Sequence, residues 1–189
     1  LSDLENKSFC IIGDGYGTLG TLIKKIFPKS KIIFINIGRT LFFDFFYTEK
    51  VCPFNEHKLI RNIKDCFSND FNYIEAEKVK NIKVEADIFV NISSMQEMNI
   101  QDINLYFNIM RNQKSDTWFY CCNRISKELP DGKLINFDEY PWQSSDKIIF
   151  EELCPWHQKY PINKPPFLKE FKGKHKHKLV KINLIKKSS

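Results

Sequence analysis

The chain has 189 residues, the size of one domain, and 42% of them are hydrophobic, enough to bury a core without disulfides or a metal. Its net charge of +6 comes from lysines spread along the sequence and favours anionic partners only weakly. Six cysteines form no Cys-x-x-Cys pair, as is usual in a reducing compartment. The sequence shows neither a secretory leader nor an apolar run of about 18 residues, so we expect a cytoplasmic protein without membrane insertion.

Apolar residues alternate along the chain between the period of strands and that of helices. This alternation predicts a Rossmann-like α/β fold with a doubly wound, mostly parallel sheet. The predicted strands are Ser8–Ile12, Lys31–Ile37, Asn72–Ala76, Lys83–Ile92 and Thr117–Cys122, and the predicted helices are Thr18–Phe27, Thr40–Lys50, Glu56–Asp65 and Ile100–Asn112.

The alternation stops after the turn signal Leu129–Gly132. Lys133–Phe137 and His175–Ile185 then predict terminal strands that run antiparallel to the rest of the sheet. Between them Tyr140–Phe171, rich in proline and aromatic residues, predicts a long irregular loop of the kind that often carries function. Lys172–Lys178 alternates lysine with glycine or histidine, and because it lacks stacking aromatics it favours a charged strand edge over a nucleic-acid surface.

The segment Phe9–Gly20, FCIIGDGYGTLG, predicts a strand, a glycine turn and a helix that bind a nucleotide-like cofactor. Gly13, Gly15 and Gly17 have the GxGxG spacing usual in methyltransferases, whereas the same stretch from Gly15 fits GxGxxG, the dinucleotide fingerprint. Asn36 stands where either fold places a ribose-binding acid, and Arg39 would suit the phosphate of NADP. The antiparallel terminal strands favour a methyltransferase, and an NADP-dependent reductase or a non-catalytic nucleotide-binding domain is the alternative.

Four stretches, IIGDGYGTLG, NISSMQEMN, FYCCNRISKELPDG and ELCPWHQKYP, resemble the bacterial sugar O-methyltransferase family over nearly the whole chain. The resemblance implies one class I catalytic domain, residues 1–189, that uses S-adenosylmethionine on a carbohydrate or nucleotide-sugar acceptor in polysaccharide biosynthesis. Related sequences often have acids where this chain has Ile11 and Asn36, and they tend to be longer. Since Leu1 rather than Met opens the chain, we expect a fragment lacking an N-terminal region, and a homo-oligomer is left open.

Ligands of open α/β sheets bind beyond the carboxyl ends of the strands, which groups the candidate residues around one cleft. The cofactor candidates are Gly13, Asp14, Gly15 and Gly17 for the methionine part, Asn36 for the ribose, Ala76 and Glu77 for the adenine, and Ser93, Ser94 and Met95 for the cleft lining.

Methyl transfer to a hydroxyl needs a base, and Glu97 is the first candidate, followed by His157 and Asp138. Aromatic rings of the late loop, Trp142, Trp156 and Tyr160, are candidates for stacking on a sugar. Cys154 and His157 form a Cys-x-x-His pair that His175 and His177 could complete as a zinc site, but the wide spacing and the missing Cys-x-x-Cys lead us to expect no metal.

Overall fold

A computed structural model describes residues 2–62, 65, 67–171 and 173–185 of the chain, so Cys66 and Lys172 lie outside the described part. The α-helices of this part are α1 (Thr18–Ile26), α2 (Gly38–Val51) and α3 (Ile100–Arg111). Its strands are β1 (Ser8–Ile12), β2 (Lys31–Asn36), β3 (His57–Ile60), β4 (Phe71–Glu75), β5 (Ile88–Ile92), β6 (Thr117–Arg124), β7 (Ser126–Glu128), β8 (Leu134–Asn136), β9 (Lys147–Leu153), β10 (Lys159–Pro161), β11 (Leu168–Glu170) and β12 (His175–Ile182).

Eight strands form the main sheet in the order β3, β4, β2, β1, β5, β6, β12, β9. The pairs from β3 to β6 are parallel, whereas β12 runs antiparallel to both β6 and β9. Separate two-stranded hairpins are formed by β7 with β8 and by β10 with β11. The predicted mostly parallel sheet with an antiparallel terminal strand is therefore confirmed, but the strand predicted at Lys133–Phe137 is β8 of a separate hairpin and not a strand of this sheet.

Both faces of the central parallel strands, such as β1 and β2, are buried, which explains their nearly continuous apolar sequences. One face packs against α3, with Phe107 and Phe119 in contact edge to face at 5.5 Å. The other face packs against α1 and α2. Gly20 permits this second contact, because a Cβ atom there would lie 2.2 Å from Cζ of Phe34 on β2. The last glycine of GYGTLG thus serves helix packing. None of the described helices is both long enough and apolar enough to span a bilayer.

The prediction of a helix at Glu56–Asp65 is wrong. The segment instead contains β3, which pairs parallel with β4 from His57 to Ile60 and forms one edge of the sheet. The His57 ring stacks on Phe71 at 4.9 Å and contacts the Tyr73 hydroxyl at 2.8 Å, so contacts across the sheet outweigh the helical spacing. Residues 63 and 64 of this segment lie outside the described residues.

The prediction of an irregular loop over Tyr140–Phe171 is also wrong in part. Strand β9 lies inside it and pairs antiparallel with β12, with a register shift between Leu179 and Val180. The hairpin of β10 and β11 follows. Strand β9, KIIFEEL, lies at the sheet edge with most of its residues exposed, so it lacks the alternating pattern that identifies a half-buried strand.

Candidate functional site

The candidate site lies along the edge of the sheet where β1, β2, β4 and β5 end. Because these strands are parallel and adjacent, their carboxyl ends meet there. The glycine turn follows β1, the start of α2 follows β2, and short 3-10 helices at Ala76–Asn81 and Met95–Glu97 follow β4 and β5. This is the edge at which open α/β sheets bind ligands.

The three glycines of the turn all have positive φ angles, 75° at Gly13, 87° at Gly15 and 69° at Gly17. Their surroundings differ. A Cβ on Gly13 would lie 2.3 Å from Oγ of Ser94, and one on Gly17 would lie 2.7 Å from the carbonyl oxygen of Asp44, so both glycines permit contacts within the protein. Gly15 has nothing within 4 Å of its Cβ position. Only this glycine of the turn presents its backbone to open space, where a ligand can approach.

Asp14 caps α1. Its carboxylate accepts hydrogen bonds from the backbone amides of Leu19 at 3.2 Å and Gly20 at 2.9 Å. Burial raises the pKa of Asp14, and these amides oppose the rise. The carboxylate therefore neutralises the helix N-terminus and fixes the turn.

Asn36 is held by two internal hydrogen bonds. Its Nδ2 donates to Oδ2 of Asp44 at 2.9 Å, and its Oδ1 accepts from the Ile37 amide at 3.0 Å. Asp44, on α2, is fully buried, and its Oδ1 has no hydrogen-bond partner within the described part of the chain. Desolvation raises the pKa of Asp44 to about 6, and the nearby Asp14 carboxylate adds to the rise. Asp44 was not among the residues predicted from the sequence, although an acid inside the apolar run LFFDFF is a signal of a buried, functional or structural carboxylate.

A network of amides and hydroxyls ties the end of β5 to the end of β1. Nδ2 of Asn91 and Oγ of Ser94 both donate to the Ile12 carbonyl, at 2.9 and 2.8 Å, and Asn91 also donates to Ser94. Ser93 has a φ of 59°, a conformation that costs free energy in a residue with a side chain and is common at functional sites. We expected Met95 to line the cleft, but its side chain is fully buried in the core.

Glu75 stands beside the end of β2. It pairs in register with Asn36, lies 3.1 Å from the Cβ position of Gly38, and forms an ion pair with Lys78 at 2.6 Å. Glu77 is exposed, and Ala76 is half-buried next to the core. An apolar cavity of about 400 Å³ opens here, lined by Gly38, Leu41, Phe42, Phe45, Leu59, Tyr73 and Glu75.

Glu97 and His157, the two predicted bases, have different surroundings. Glu97 ends the 3-10 helix after β5, is half exposed, and lies 3.3 Å from Nζ of Lys127. The half-buried His157 ends the 3-10 helix Pro155–His157, and burial lowers its pKa, with a further contribution from His177. Asp138 forms an ion pair with Lys176 at 2.7 Å. Glu97 is thus the carboxylate that accompanies the end of β5.

His157 contacts two cysteines. Its Nδ1 lies 3.2 Å from Sγ of Cys154 and 3.7 Å from Sγ of Cys122, and all three atoms lie within 4.8 Å of one another. The spacing of Cys154 and His157 predicts their pairing, whereas Cys122 comes from β6, a distant part of the sequence that no local spacing connects to them. His177, which the sequence offered as a further zinc ligand, instead contacts Tyr120 at 3.1 Å and Glu152 at 3.3 Å.

Of the three aromatic residues considered for sugar stacking, Trp142 belongs to the core. Its ring meets Phe107 edge to face at 4.9 Å, its Nε1 donates to the Phe137 carbonyl at 3.0 Å, and Nζ of Lys178 lies 4.4 Å above its face. Trp156, in contrast, is 82% exposed, whereas the half-buried Tyr160 packs on Phe171.

No protein-family model and no curated protein matches the sequence, but solved structures match the fold. Coclaurine N-methyltransferase bound to N-methylheliamine and SAH aligns with a TM-score of 0.60 at 9% identity, over 94% of this chain and 68% of that chain. The mitomycin 7-O-methyltransferase MmcR gives 0.57 at 10% identity over 93% and 49%. The pyocyanin biosynthetic protein PhzM gives 0.56 at 11% over 95% and 51%, so this chain spans about half of its length. The chain has the fold of class I methyltransferases.

Proposed function

We propose that the chain binds S-adenosylmethionine at its glycine turn and transfers the methyl group to an acceptor held at the carboxyl ends of β5 and β6. The observation that carries this proposal is the pairing of an accessible Gly15 backbone with an Asp14 carboxylate that occupies the start of α1. A sulfonium cofactor with an amino-acid tail needs an accessible backbone at Gly15. It also tolerates the Asp14 carboxylate, because it carries no phosphate that the carboxylate would repel.

The same arrangement argues against the NADP-dependent reductase. In dinucleotide-binding folds the pyrophosphate sits at the N-terminus of the helix after the glycine turn, where free amides and the helix dipole attract it. Here the Asp14 carboxylate already accepts hydrogen bonds from the amides of Leu19 and Gly20. A pyrophosphate would meet a carboxylate, whereas S-adenosylmethionine has no phosphate.

The residues of the edge fit the cofactor, which supplies an electrophilic methyl group on a sulfonium. We assign the glycine turn to the methionine part: the backbone of Gly15 faces the cofactor, Gly13 and Gly17 allow the turn to pack closely against Ser94 and Asp44, and Asp14 fixes the turn. Ser93 and Ser94 close the cleft, and Ala76 and Glu77 keep their assignment near the adenine. The apolar cavity beside Gly38 supports an adenine position, since its lining is mostly apolar. Asn36 is assigned to the ribose through a rearrangement of its bond to Asp44.

A calorimetric titration with S-adenosylhomocysteine and with NADPH tests the cofactor. We expect the first to bind and the second not to bind. Gly15→Ala places a methyl group in the cofactor space, and we expect at least a roughly 100-fold loss of affinity together with about 1 kcal/mol of stability lost to the positive φ.

Gly132→Ala is the matched control, because Gly132 also has a positive φ, 82°, and open space around its Cβ position, in the turn between β7 and β8. It should show the same stability loss with unchanged affinity. Equal weakening by both substitutions, or binding of NADPH alone, would contradict the proposed site. Binding of neither ligand would favour a domain without cofactor affinity.

For the acceptor we propose a sugar hydroxyl, supported by the family resemblance of NISSMQEMN and ELCPWHQKYP and by the exposed ring of Trp156. Glu97 is the proposed base, because it follows β5 at the cleft and keeps its carboxylate partly exposed. Its task is to accept the hydroxyl proton as the oxygen attacks the methyl group.

Transfer of labelled methyl groups to a panel of monosaccharides and nucleotide sugars tests both ideas. We expect Glu97→Gln to lower kcat by roughly 10²–10⁴-fold with unchanged S-adenosylhomocysteine affinity. Asp138→Asn, which loses only the ion pair with Lys176, should keep kcat. Transfer to non-sugar acceptors alone would contradict the acceptor class, and full activity of Glu97→Gln would remove its role as base.

A further inference from the structure

The cluster of Cys122, Cys154 and His157 is not used by the proposed methyl transfer. It gathers residues from three elements, namely β6, the segment directly after β9, and the 3-10 helix Pro155–His157. Both cysteines are about 1% exposed, and the histidine is half-buried. Two thiols and an imidazole are the donor set that zinc prefers in proteins. We propose that these three residues bind one Zn²⁺ ion.

The distances suit a tetrahedral site. With Zn–S bonds of about 2.3 Å and Zn–N bonds of about 2.0–2.1 Å, a sulfur and a nitrogen ligand of one zinc ion lie about 3.6 Å apart. Nδ1 of His157 is 3.2 Å from one sulfur and 3.7 Å from the other, on either side of this value. Binding needs small side-chain shifts, and the two thiols release their protons to solvent as the ion enters.

A disulfide between the two cysteines fits the topology less well. Strand β12 lies between β6 and β9, with His177 paired to Cys122 and the Cys154 amide donating to the His175 carbonyl. The two cysteines therefore belong to chain segments about two strand spacings apart, roughly 9–10 Å. A disulfide requires Cα atoms about 4.4–6.8 Å apart, whereas a zinc ion between the sulfurs spans the longer distance.

His175 adds a second observation. Its ring stacks on that of His157 at 4.8 Å, and it is 3% exposed. Its Nδ1 is buried without a hydrogen-bond partner among the described residues, which is costly for an imidazole nitrogen. A water molecule on the fourth position of the zinc ion would give this nitrogen a partner, as groups around zinc sites commonly do.

The ion would connect β6 and the chain after β9 across β12, because β6 and β9 are parallel to each other and end at the same edge of the sheet. The segment it anchors contains the hairpin of β10 and β11 and the exposed Trp156. The carbonyl of Cys122 also accepts from the Ser93 amide at 2.8 Å, so the site adjoins the candidate cleft. The ion would hold these two segments together at this edge, and its three protein ligands would leave one coordination position for water.

The test uses the full chain, reduced, freed of metal with a chelator and titrated anaerobically with Zn²⁺ against a chromophoric competitor. We expect one equivalent to bind and the Tm to rise. Co²⁺ in place of Zn²⁺ should give the visible absorption of a tetrahedral ion and a near-ultraviolet thiolate charge-transfer band. These readouts do not involve S-adenosylmethionine, so they succeed or fail independently of the proposed function.

Cys122→Ser and Cys154→Ser should each lower the Zn²⁺ affinity by at least about 100-fold, the upper end of what losing a neighbour of a zinc ligand costs. Cys121→Ala and His177→Gln are the controls, since Cys121 packs in the core on the opposite face and His177 contacts Tyr120 and Glu152. Both should bind Zn²⁺ normally. The absence of stoichiometric binding by the wild-type chain, an octahedral Co²⁺ spectrum, or a metal-free Cys122–Cys154 disulfide in the purified protein would overturn the proposal.

Discussion

At the scale of single residues, polar side chains behind the glycine turn hold the candidate site in place. Asp14 holds α1, Asn36 is held by Asp44, and Ser94 packs against Gly13. The sequence identified the turn because several glycines at the end of a strand indicate a tight turn with positive φ angles. The sequence did not identify Asp44, because its role depends on how α2 packs on β2, a contact that no local spacing encodes.

Asp44 should make stability depend on pH. Its pKa is raised from 3.8 to about 6 in the folded protein, so the folded state binds the proton more tightly than the unfolded state does. Below about pH 4 both states are protonated and there is no penalty, but between pH 4 and 6 stability falls, and above pH 6 the full penalty remains. Asp44→Asn should therefore raise the free energy of unfolding on the order of 2 kcal/mol at pH 7.5 and change it little at pH 4.

Thermal unfolding of both proteins from pH 4 to pH 8 measures this difference. Asp131→Asn is a suitable control, because a hydrogen bond from exposed Lys133 lowers the pKa of Asp131, which is the opposite shift. Its small effect should have the opposite sign, a loss of stability at neutral pH. A pH-independent difference for Asp44→Asn would show that the carboxyl is not desolvated as the structure indicates.

At the scale of elements, the sequence predicted the central parallel strands from their buried apolar runs, and it predicted the three α-helices from the spacing of their apolar residues. It failed at β3 and β9, which form the two edges of the sheet. Edge strands bury less side-chain area and tolerate charged residues, as Lys58 and Glu152 illustrate. Their sequences therefore show only a weak alternation of apolar and polar residues. Their place is decided by pairing with β4 and β12, which a local pattern does not contain.

Arg111 and Asp146 form a buried ion pair that joins the end of α3 to the start of β9. Two hydrogen bonds of 2.7 and 2.8 Å connect the side chains, and Arg111 also donates to the carbonyls of Pro141 and Asn183. Burial alone would raise the pKa of Asp146, but Arg111 and the amides of Asn183 and Gln143 hold it below its ordinary value. The pair therefore stabilises the fold above the ordinary pKa of an aspartate, and the contribution is lost as pH falls through the lowered value.

Arg111→Met should destabilise the protein by about 3–5 kcal/mol at pH 7, because it leaves Asp146 charged, buried and without its main partner. Urea unfolding measures the loss. Arg111→Met combined with Asp146→Leu should cost less than the single change, since no charge remains buried. Lys114→Met, which removes an exposed ion pair with Glu85, should be indistinguishable from wild type. A double variant less stable than Arg111→Met would contradict this account.

At the scale of the whole molecule, the order of strands and helices along the sequence was enough to predict the class of sheet, and the fold of class I methyltransferases agrees with it. The meeting of Cys122 with Cys154 was not predictable, because it depends on β12 entering between β6 and β9. Local patterns identified the buried strands, whereas contacts between distant segments determine the edge strands and which side chains meet.

The central position of β12 also has a consequence for protein synthesis. The parallel partners of β1 to β6 all lie within residues 8–124, so these pairs can form as the chain leaves the ribosome, whereas the other edge of β6 pairs only with β12. In contrast β9, with its exposed Ile148 and Ile149, has no partner in the described sheet until β12 has been translated. During this interval β6 offers an open edge to other nascent chains. We therefore expect slower translation between residues 153 and 182 to lengthen the time during which this edge can aggregate.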